Sequence, residues 1–334
     1  MLDLLQRPLR DLRISVTDRC NLRCPYCMPR QVFGEGFRFL PREELLSFEE
    51  ITRVVEVLAG RGVTKVRLTG GEPLLRSQVE RLVEMLARVE GISDLALTTN
   101  GLLLARSAQR LRDAGLDRVT VSLDALEPRA LRSMSDAPIS PERILEGIDA
   151  AGRAGLAPVK VNMVVRRGFN DHCVLDMAER FRHRPEVVRF IEFMDVGTTN
   201  GWREQEVVPA GEILAAIDAR WPLEPLAPTR AGEVASRYRY RDGGGEIGVI
   251  HSVSSPFCGS CTRARLSADG KLFTCLFARR GHDVRALLRG GDARDLERGL
   301  VDAWTGRSDR YSAERSGEHR AGAEPKIEMS YIGG

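Results

Sequence analysis

Apolar and polar positions along the first 220 residues switch repeatedly between a period of two and a period near 3.6. Leu12 to Thr17 (Leu-Arg-Ile-Ser-Val-Thr) alternates and is rich in β-branched residues, which predicts a first strand. Ser47-x-x-Glu50 then forms a capping-box pattern. Ile51, Val54, Val55 and Leu58 share one helical face behind it, and Gly60 and Gly62 close the helix. Val63–Leu68 is the second strand, followed at once by Thr69-Gly70-Gly71-Glu72-Pro73. Ser77-x-x-Glu80 predicts another capped helix, with Val79, Leu82, Val83 and Leu86 on its apolar side. Strands over Leu95–Thr99, Val119–Leu123, Val159–Val165 and Val187–Phe193 alternate with helices over Leu102–Ala114, Pro141 to about Gly152, Asp171–Phe181 and Pro209–Ala219. Six strand–helix units in strict alternation argue a parallel sheet with right-handed crossovers. Six fall short of the eight in a closed barrel, so the expected fold class is α/β, a partial (βα)6 TIM-like barrel. A doubly wound open sheet is the competing topology, which periodicity does not separate.

The pattern changes at Trp221-Pro222, where Pro222, Pro225 and Pro228 break regular structure. Tyr238–Arg241 and Ile247–Ile250 flank Asp242-Gly243-Gly244-Gly245 as a hairpin, and Asp269-Gly270 marks a second between Ala264–Ser267 and Lys271–Cys275. A helix over Ala293–Trp304 precedes a polar stretch, Gly306–Glu324, expected to be mobile. Two units are therefore expected: residues 1–222 as the barrel, and 223–334 as a hairpin-rich carboxy-terminal extension.

Composition excludes more than it selects. With 334 residues, 43% hydrophobic and 29% charged, the chain reads as an ordinary globular protein. A net charge of +3 gives no reason to expect a nucleic-acid or membrane partner. No run approaches the ~18 apolar residues of a membrane span, and Met1–Arg10 lacks the pattern of a signal peptide. Of 50 basic residues only four are lysine, at 65, 160, 271 and 326. Six of the seven cysteines fall in two clusters, which suits metal ligation in a reducing compartment, with the cytoplasm as the default.

The first cluster, Cys20-x3-Cys24-x2-Cys27, follows the first strand. Three thiols this close make poor disulfide partners but can ligate three irons of a [4Fe–4S] cube, leaving the fourth iron open for a small molecule. Zinc prefers four protein ligands, and no histidine stands nearby to complete the set. Gly70-Gly71-Glu72, Thr98-Thr99-Asn100-Gly101, Ser122-Leu123-Asp124 and Met194-Asp195 end strands on the same rim, where a parallel barrel carries its active site. The two glycines would admit a ligand close to the backbone. Gly243, Gly245 and Gly248 match a dinucleotide fingerprint but continue into strand rather than helix, so they mark a turn.

The second cluster, Cys258-x2-Cys261-x13-Cys275, suits either zinc, with His251 as a fourth ligand, or another iron–sulfur cluster. Arg263 and Arg265 between its thiols share one strand face, a pairing suited to phosphate. Arg13, Lys65 and Arg67 alternate likewise; pointing inward, they would require an anionic ligand. The closing Met329–Gly334 reads from composition as a disordered end.

Cys20, Cys24 and Cys27, with Tyr26 before the last, resemble the signature of the radical S-adenosylmethionine enzymes. Asp11–Cys20, Thr69–Arg76, Leu97–Gly101, Val121–Asp124, Arg189–Met194, Cys258-x2-Cys-Thr-Arg-Ala-Arg265 and the closing Gly-Gly resemble, more narrowly, the GTP 3',8-cyclases of molybdenum cofactor biosynthesis. The resemblance implies two [4Fe–4S] clusters, one on Cys20, Cys24 and Cys27 and one on Cys258, Cys261 and Cys275. S-adenosylmethionine would then lie against Tyr26, Gly71, Ser122 and Met194. GTP would contact Arg13, Arg67, Thr98, Lys160, Arg263 and Arg265, its guanine on the open iron of the second cluster. A radical from S-adenosylmethionine would take hydrogen from the 3' carbon of the ribose, and that carbon would attack carbon 8 of guanine. Gly333 and Gly334 would reach into the site and, with Arg13 and Arg265, serve the reaction. The implied partners are GTP, a reductant protein and a downstream cyclic pyranopterin monophosphate synthase, and a homodimer is allowed. Glu324, Pro325 and Glu328 stand where relatives are often more basic, and Cys173 matches no family ligand and reads as a packed thiol. The rival readings are a peptide-modifying radical enzyme with an auxiliary cluster and a non-enzymatic electron-transfer or zinc adaptor.

Overall fold

The computed structural model describes residues 1–230, 232–315 and 325–334. Its first half runs β1 (Asp11–Ser15), α1 (Phe48–Ala59), β2 (Lys65–Thr69), α2 (Val79–Ala87), β3 (Asp94–Thr99), α3 (Leu104–Asp113), β4 (Arg118–Ser122), α4 (Pro128–Ser135), α5 (Pro141–Arg153), β5 (Lys160–Val165), α6 (Val174–Phe181), β6 (Val187–Glu192) and α7 (Ala210–Arg220). There follow β7 (Leu223–Leu226), β8 (Ser236–Tyr240), β9 (Glu246–Ile250), β10 (Arg263–Leu266), β11 (Lys271–Phe273), β12 (His282–Asp283), α8 (Val284–Gly290), α9 (Ala293–Thr305) and α10 (Met329–Ile332).

β1 to β6 lie side by side in sequence order, all parallel. A doubly wound sheet reverses direction at a switch point; this one does not, so the partial barrel is the architecture. The strands beyond residue 222 do not make a sheet of their own. β10 joins parallel to β1 and β9 parallel to β6, and the antiparallel strands β11, β12, β8 and β7 extend the two ends of one twelve-stranded sheet. The last strands, β12 and β7, are not paired with each other, and the barrel stays open.

One alternation positions everything. Leu12, Ile14, Val66, Leu68, Leu95, Leu97, Val119, Val121, Val161 and Met163 are essentially inaccessible and face the helices. There they meet Ile51, Val54, Val55 and Leu58 of α1 and the matching faces of α2, α3 and α5. Each such side chain contributes about 1.5–3 kcal/mol relative to exposure, so a Leu58→Ala cavity would cost about 2–5 kcal/mol. The intervening positions turn inward and are polar: Asp11 and Arg13, Lys65 and Arg67, Thr98, Ser122, Lys160 and Asn162 all border the interior. A closed TIM barrel fills that space with apolar layers. Here it is a chamber.

Two local expectations fail. The Ser47/Glu50 capping box forms as read, but Ser77 does not cap α2. Gln78, left-handed at φ +57°, occupies that place without a side-chain bond. The stretch from Gly306 is also fixed as far as it is described. Arg307 is 4% exposed and pairs with Asp309 at 3.2 Å, and Arg315 lies 2.8 Å from Asp195. Residues 316–324, Glu324 among them, lie outside the described residues. Among those described, no helix is long and apolar enough to cross a membrane.

Candidate active site

The first cysteine loop is shaped by backbone. Cys27 N–H and Met28 N–H both donate to the Cys24 carbonyl, at 2.9 and 2.8 Å, turning the loop so that Cys20, Cys24 and Cys27 all border the chamber. Tyr26 hydroxyl donates to Asp124 at 2.8 Å and ties the loop to the segment after β4. Asp124 also accepts from Val164 N–H, and burial pushes its carboxyl up to about 6. Burial raises all three thiols, Cys20 to about 11.

The glycines after β2 serve that loop. Gly71 N–H donates to Thr17 carbonyl and Glu72 N–H to Arg19 carbonyl, both at 2.8 Å. A Cβ on Gly71 would collide with the Arg19 carbonyl, and one on Gly70 (φ +148°) with that of Thr17. The absent side chains thus let two backbones meet, while Gly70 and Gly71 still border the chamber. Glu72 does not border it. Its buried carboxylate accepts from Thr99 Oγ1, Asn100 N–H and Leu74 N–H, tying the turn after β2 to the end of β3, and burial lifts it to about 7.

Cys258, Cys261 and Cys275 border the same chamber, flanked by side-chain cations rather than backbone. Burial would raise Cys261, but the guanidinium groups of Arg263 and Arg307 outweigh it and bring the thiol down to about 7. Arg263 Nη2 lies 3.3 Å from Cys261 Sγ, and its Nη1 is buried without a partner. Cys275, by contrast, is pushed up to about 12 by burial and by Asp309. Among the described residues no histidine borders the chamber; His251 lines a separate hollow with Tyr238 and Phe257. Zinc–sulfur bonds of about 2.3 Å would draw tetrahedral sulfurs to about 3.8 Å apart. Among the described residues, the group of possible ligand atoms drawn together within 4.8 Å is Glu127, His172 and Cys173, not either triplet. Cys173 itself is buried away from the chamber, as a packed thiol.

Cations line the wall between the triplets. Arg265, Arg13 and Arg67 stand in register across β10, β1 and β2. Arg67 donates to Thr98 and Thr120 at 2.9 and 3.0 Å. Burial, reinforced by neighbouring arginines, lowers Arg13 to about 10, Arg189 to about 9, and Lys65 and Lys160 to about 7; Arg67 and Arg265 are lowered by the same causes. Among the described residues, Lys65 alone of these cations forms ion pairs, with Asp11 at 3.3 Å and Asp94 at 3.8 Å. A wall of buried, mutually repelling cations is shaped for a polyanion.

The carboxy terminus enters this chamber. Arg265 donates to the Gly333 carbonyl, Gly334 borders the cavity, and a Cβ on Gly333 (φ +80°) would strike Thr69. The disordered-end expectation from composition is overturned. Glu328, a residue set apart as more acidic than its counterparts, accepts three hydrogen bonds from Thr198 and Thr199.

Every residue singled out above for cluster, S-adenosylmethionine or GTP borders one cavity of about 550 Å³, apart from Gly333, which the Arg265 bond places at its edge. Asn162, Arg189, Arg230 and Arg237 also line it and were not singled out. For Asn162 and Arg189 the signal was present: they continue, through β5 and β6, the inward alternation already visible in β1 and β2.

The chamber has the form of a radical enzyme site, and the comparisons give its class. A family profile described as the Radical SAM superfamily matches residues 14–181, and one described as Molybdenum Cofactor Synthesis C matches residues 187–313. The Streptococcus suis SuiB structure bound to its precursor peptide shares the fold, with a TM-score of 0.61 at 15% identity over 92% of this chain and 66% of that one. This is a radical S-adenosylmethionine enzyme fold. The GTP 3',8-cyclase of Acidothermus cellulolyticus is 55% identical over 99% of this chain and 98% of its own length, and that of Staphylococcus aureus 49% identical over 99% and 98%. The chain belongs to the GTP 3',8-cyclase family.

Proposed function

We propose that this chain converts GTP to 3',8-cyclo-7,8-dihydro-GTP, the first step of molybdenum cofactor biosynthesis, with each site residue in the role its position suggests. Cys20, Cys24 and Cys27 would hold one [4Fe–4S] cluster and Cys258, Cys261 and Cys275 a second, each leaving an iron for a ligand. When bound, the first cluster supplies the electron that cleaves S-adenosylmethionine to the radical that opens the reaction at the ribose. The chain's own work is to bind, orient and exclude water. Tyr26, Gly71, Ser122 and Met194 bound the sulfonium ligand. Arg13, Arg67, Thr98, Lys160, Arg263 and Arg265 hold the nucleotide between the two metal sites, and Gly333-Gly334 closes over it. A reductant protein and a downstream synthase that makes the cyclic pyranopterin complete the partners; a homodimer is compatible with this reading.

One observation carries it: two separated cysteine triplets border a single cavity of about 550 Å³ whose connecting wall is cationic. The test is anaerobic reconstitution followed by dithionite, S-adenosylmethionine and GTP. We expect about eight irons and eight sulfides per chain, 5'-deoxyadenosine and a cyclised nucleotide. Zinc retained on the second triplet would overturn the two-cluster reading.

A further inference from the structure

The last ten residues are fastened to the rest of the protein in a way that joins the two halves of the cavity. Lys326, 7% exposed, donates to the backbone carbonyl of Asp195, to its carboxylate at 3.1 Å and to Tyr311 hydroxyl at 3.2 Å. Two residues on, Glu328 accepts from Thr198 N–H, Thr198 Oγ1 and Thr199 Oγ1, each at 2.9 Å. In an extended stretch, positions two apart face the same way, and both of these face the segment that carries Met194. Between them Ile327 N–H donates at 2.9 Å to the carbonyl of Ala278, three residues past Cys275. The strap therefore spans from the Met194 segment to the Cys275 segment.

The fit is specific. Gly197 is left-handed (φ +63°), and a Cβ there would fall on the Glu328 carboxylate. Tyr311, which bonds both Asp195 and Lys326, stacks on Phe277 with ring centroids 4.5 Å apart. Beyond the two anchors, Tyr331 hydroxyl bonds Asp269 and the Gly333 carbonyl meets Arg265. An ammonium withdrawn from water requires partners, and Lys326 finds them on Asp195 and Tyr311 when the tail is seated.

We propose that Lys326 and Glu328 are positioning residues: they latch the carboxy-terminal strap to the Met194 segment, so that Gly333-Gly334 and the sulfonium side of the cavity are held in one arrangement during turnover. This rests on the reading of the cavity given under Proposed function. Neither side chain need touch a substrate. Their loss should separate radical generation from cyclisation rather than abolish both.

The test uses the full-length, anaerobically reconstituted enzyme with Glu328→Ala, the pair Thr198→Ala/Thr199→Val, and all three combined, with Glu328→Gln as the conservative variant. Three quantities are read: hydrogen exchange of amides 326–334, KM for S-adenosylmethionine, and 5'-deoxyadenosine formed per cyclised nucleotide. Glu328→Ala should speed tail exchange roughly ten- to hundredfold, raise KM, and move the deoxyadenosine-to-product ratio severalfold above one. Glu328→Gln, which keeps an acceptor oxygen, should fall between. The combined variant should be no worse than Glu328→Ala alone, because the effects run through one contact. Wild-type exchange and ratio in Glu328→Ala, or full additivity with the threonine pair, overturns the latch. Absence of cyclised nucleotide from the wild-type enzyme would instead overturn the functional reading, while the exchange measurement still decides the latch.

Discussion

The two cysteine triplets border one chamber yet are built by opposite means. The first sits on a loop shaped by backbone hydrogen bonds and two glycines, and burial lifts its thiols with little opposition from cations. The second lies beside Arg263 and Arg307, which draw Cys261 down to about 7 against the pull of burial. The difference teaches where charge is balanced. An anionic cluster on the second triplet would find its counter-charge in the protein. One on the first would have it brought by the ligand, and a sulfonium is such a ligand.

The largest effect that would break this comparison comes from serine replacements. Cys24→Ser should abolish formation of 5'-deoxyadenosine. Cys261→Ser should leave measurable cleavage of S-adenosylmethionine but no cyclised nucleotide. Identical losses in both variants would mean that the triplets do not have separate tasks.

Next in size is Arg265→Ala, which removes a cation of the connecting wall and the donor to Gly333. A charged hydrogen bond is worth about 1.5–3 kcal/mol, so kcat/KM for GTP should fall roughly ten- to hundredfold while S-adenosylmethionine cleavage persists. Equal loss of both activities would point to a folding defect.

A smaller effect concerns protons on that wall. Lys65 and Lys160 are depressed from 10.5 to about 7, first by burial and then by arginines. Between those values the folded, ligand-free chain binds fewer protons than the unfolded one, so these lysines make it more stable as pH rises from 7 toward 10.5. A triphosphate favours the ammonium form. GTP binding at pH 8 should therefore take up about one proton per lysine, with uptake fading below about pH 6 and affinity falling as pH rises through 7. Calorimetry in buffers of different ionisation heat measures it, and Lys65→Met should remove part of the uptake. Binding without uptake at pH 8 would show that neither lysine meets the phosphates.

Smallest is Tyr26→Phe, which deletes only the 2.8 Å bond to Asp124. At about 0.5–1.5 kcal/mol, KM for S-adenosylmethionine should rise a fewfold with KM for GTP unchanged. A change in KM for GTP alone would place Tyr26 with the wrong ligand.

Much of the barrel was legible because each strand carries its own alternation: Leu12 and Ile14 against Asp11 and Arg13 state which side is core before any partner is known. Short elements were less so. α4 went unread, since eight residues opening on Glu127-Pro128 give too little period to count. The Ser77 pattern misled because Gln78 turns left-handed between the serine and the first turn, a local geometry that three-residue spacing does not encode. Glu328 looked like a departure from a basic tail, and its threonine partners lie 130 residues away in sequence.

The sequence by itself determined the strand–helix order, the two thiol triplets and the polar alternation, because these depend on neighbours within a turn or a pleat. Only the tertiary structure decided that β9 and β10 close in on β6 and β1, that both triplets meet one chamber, and that the tail is seated there. Those outcomes are pairings between segments far apart along the chain, and no local preference specifies which distant surface a strand edge or a buried charge will find.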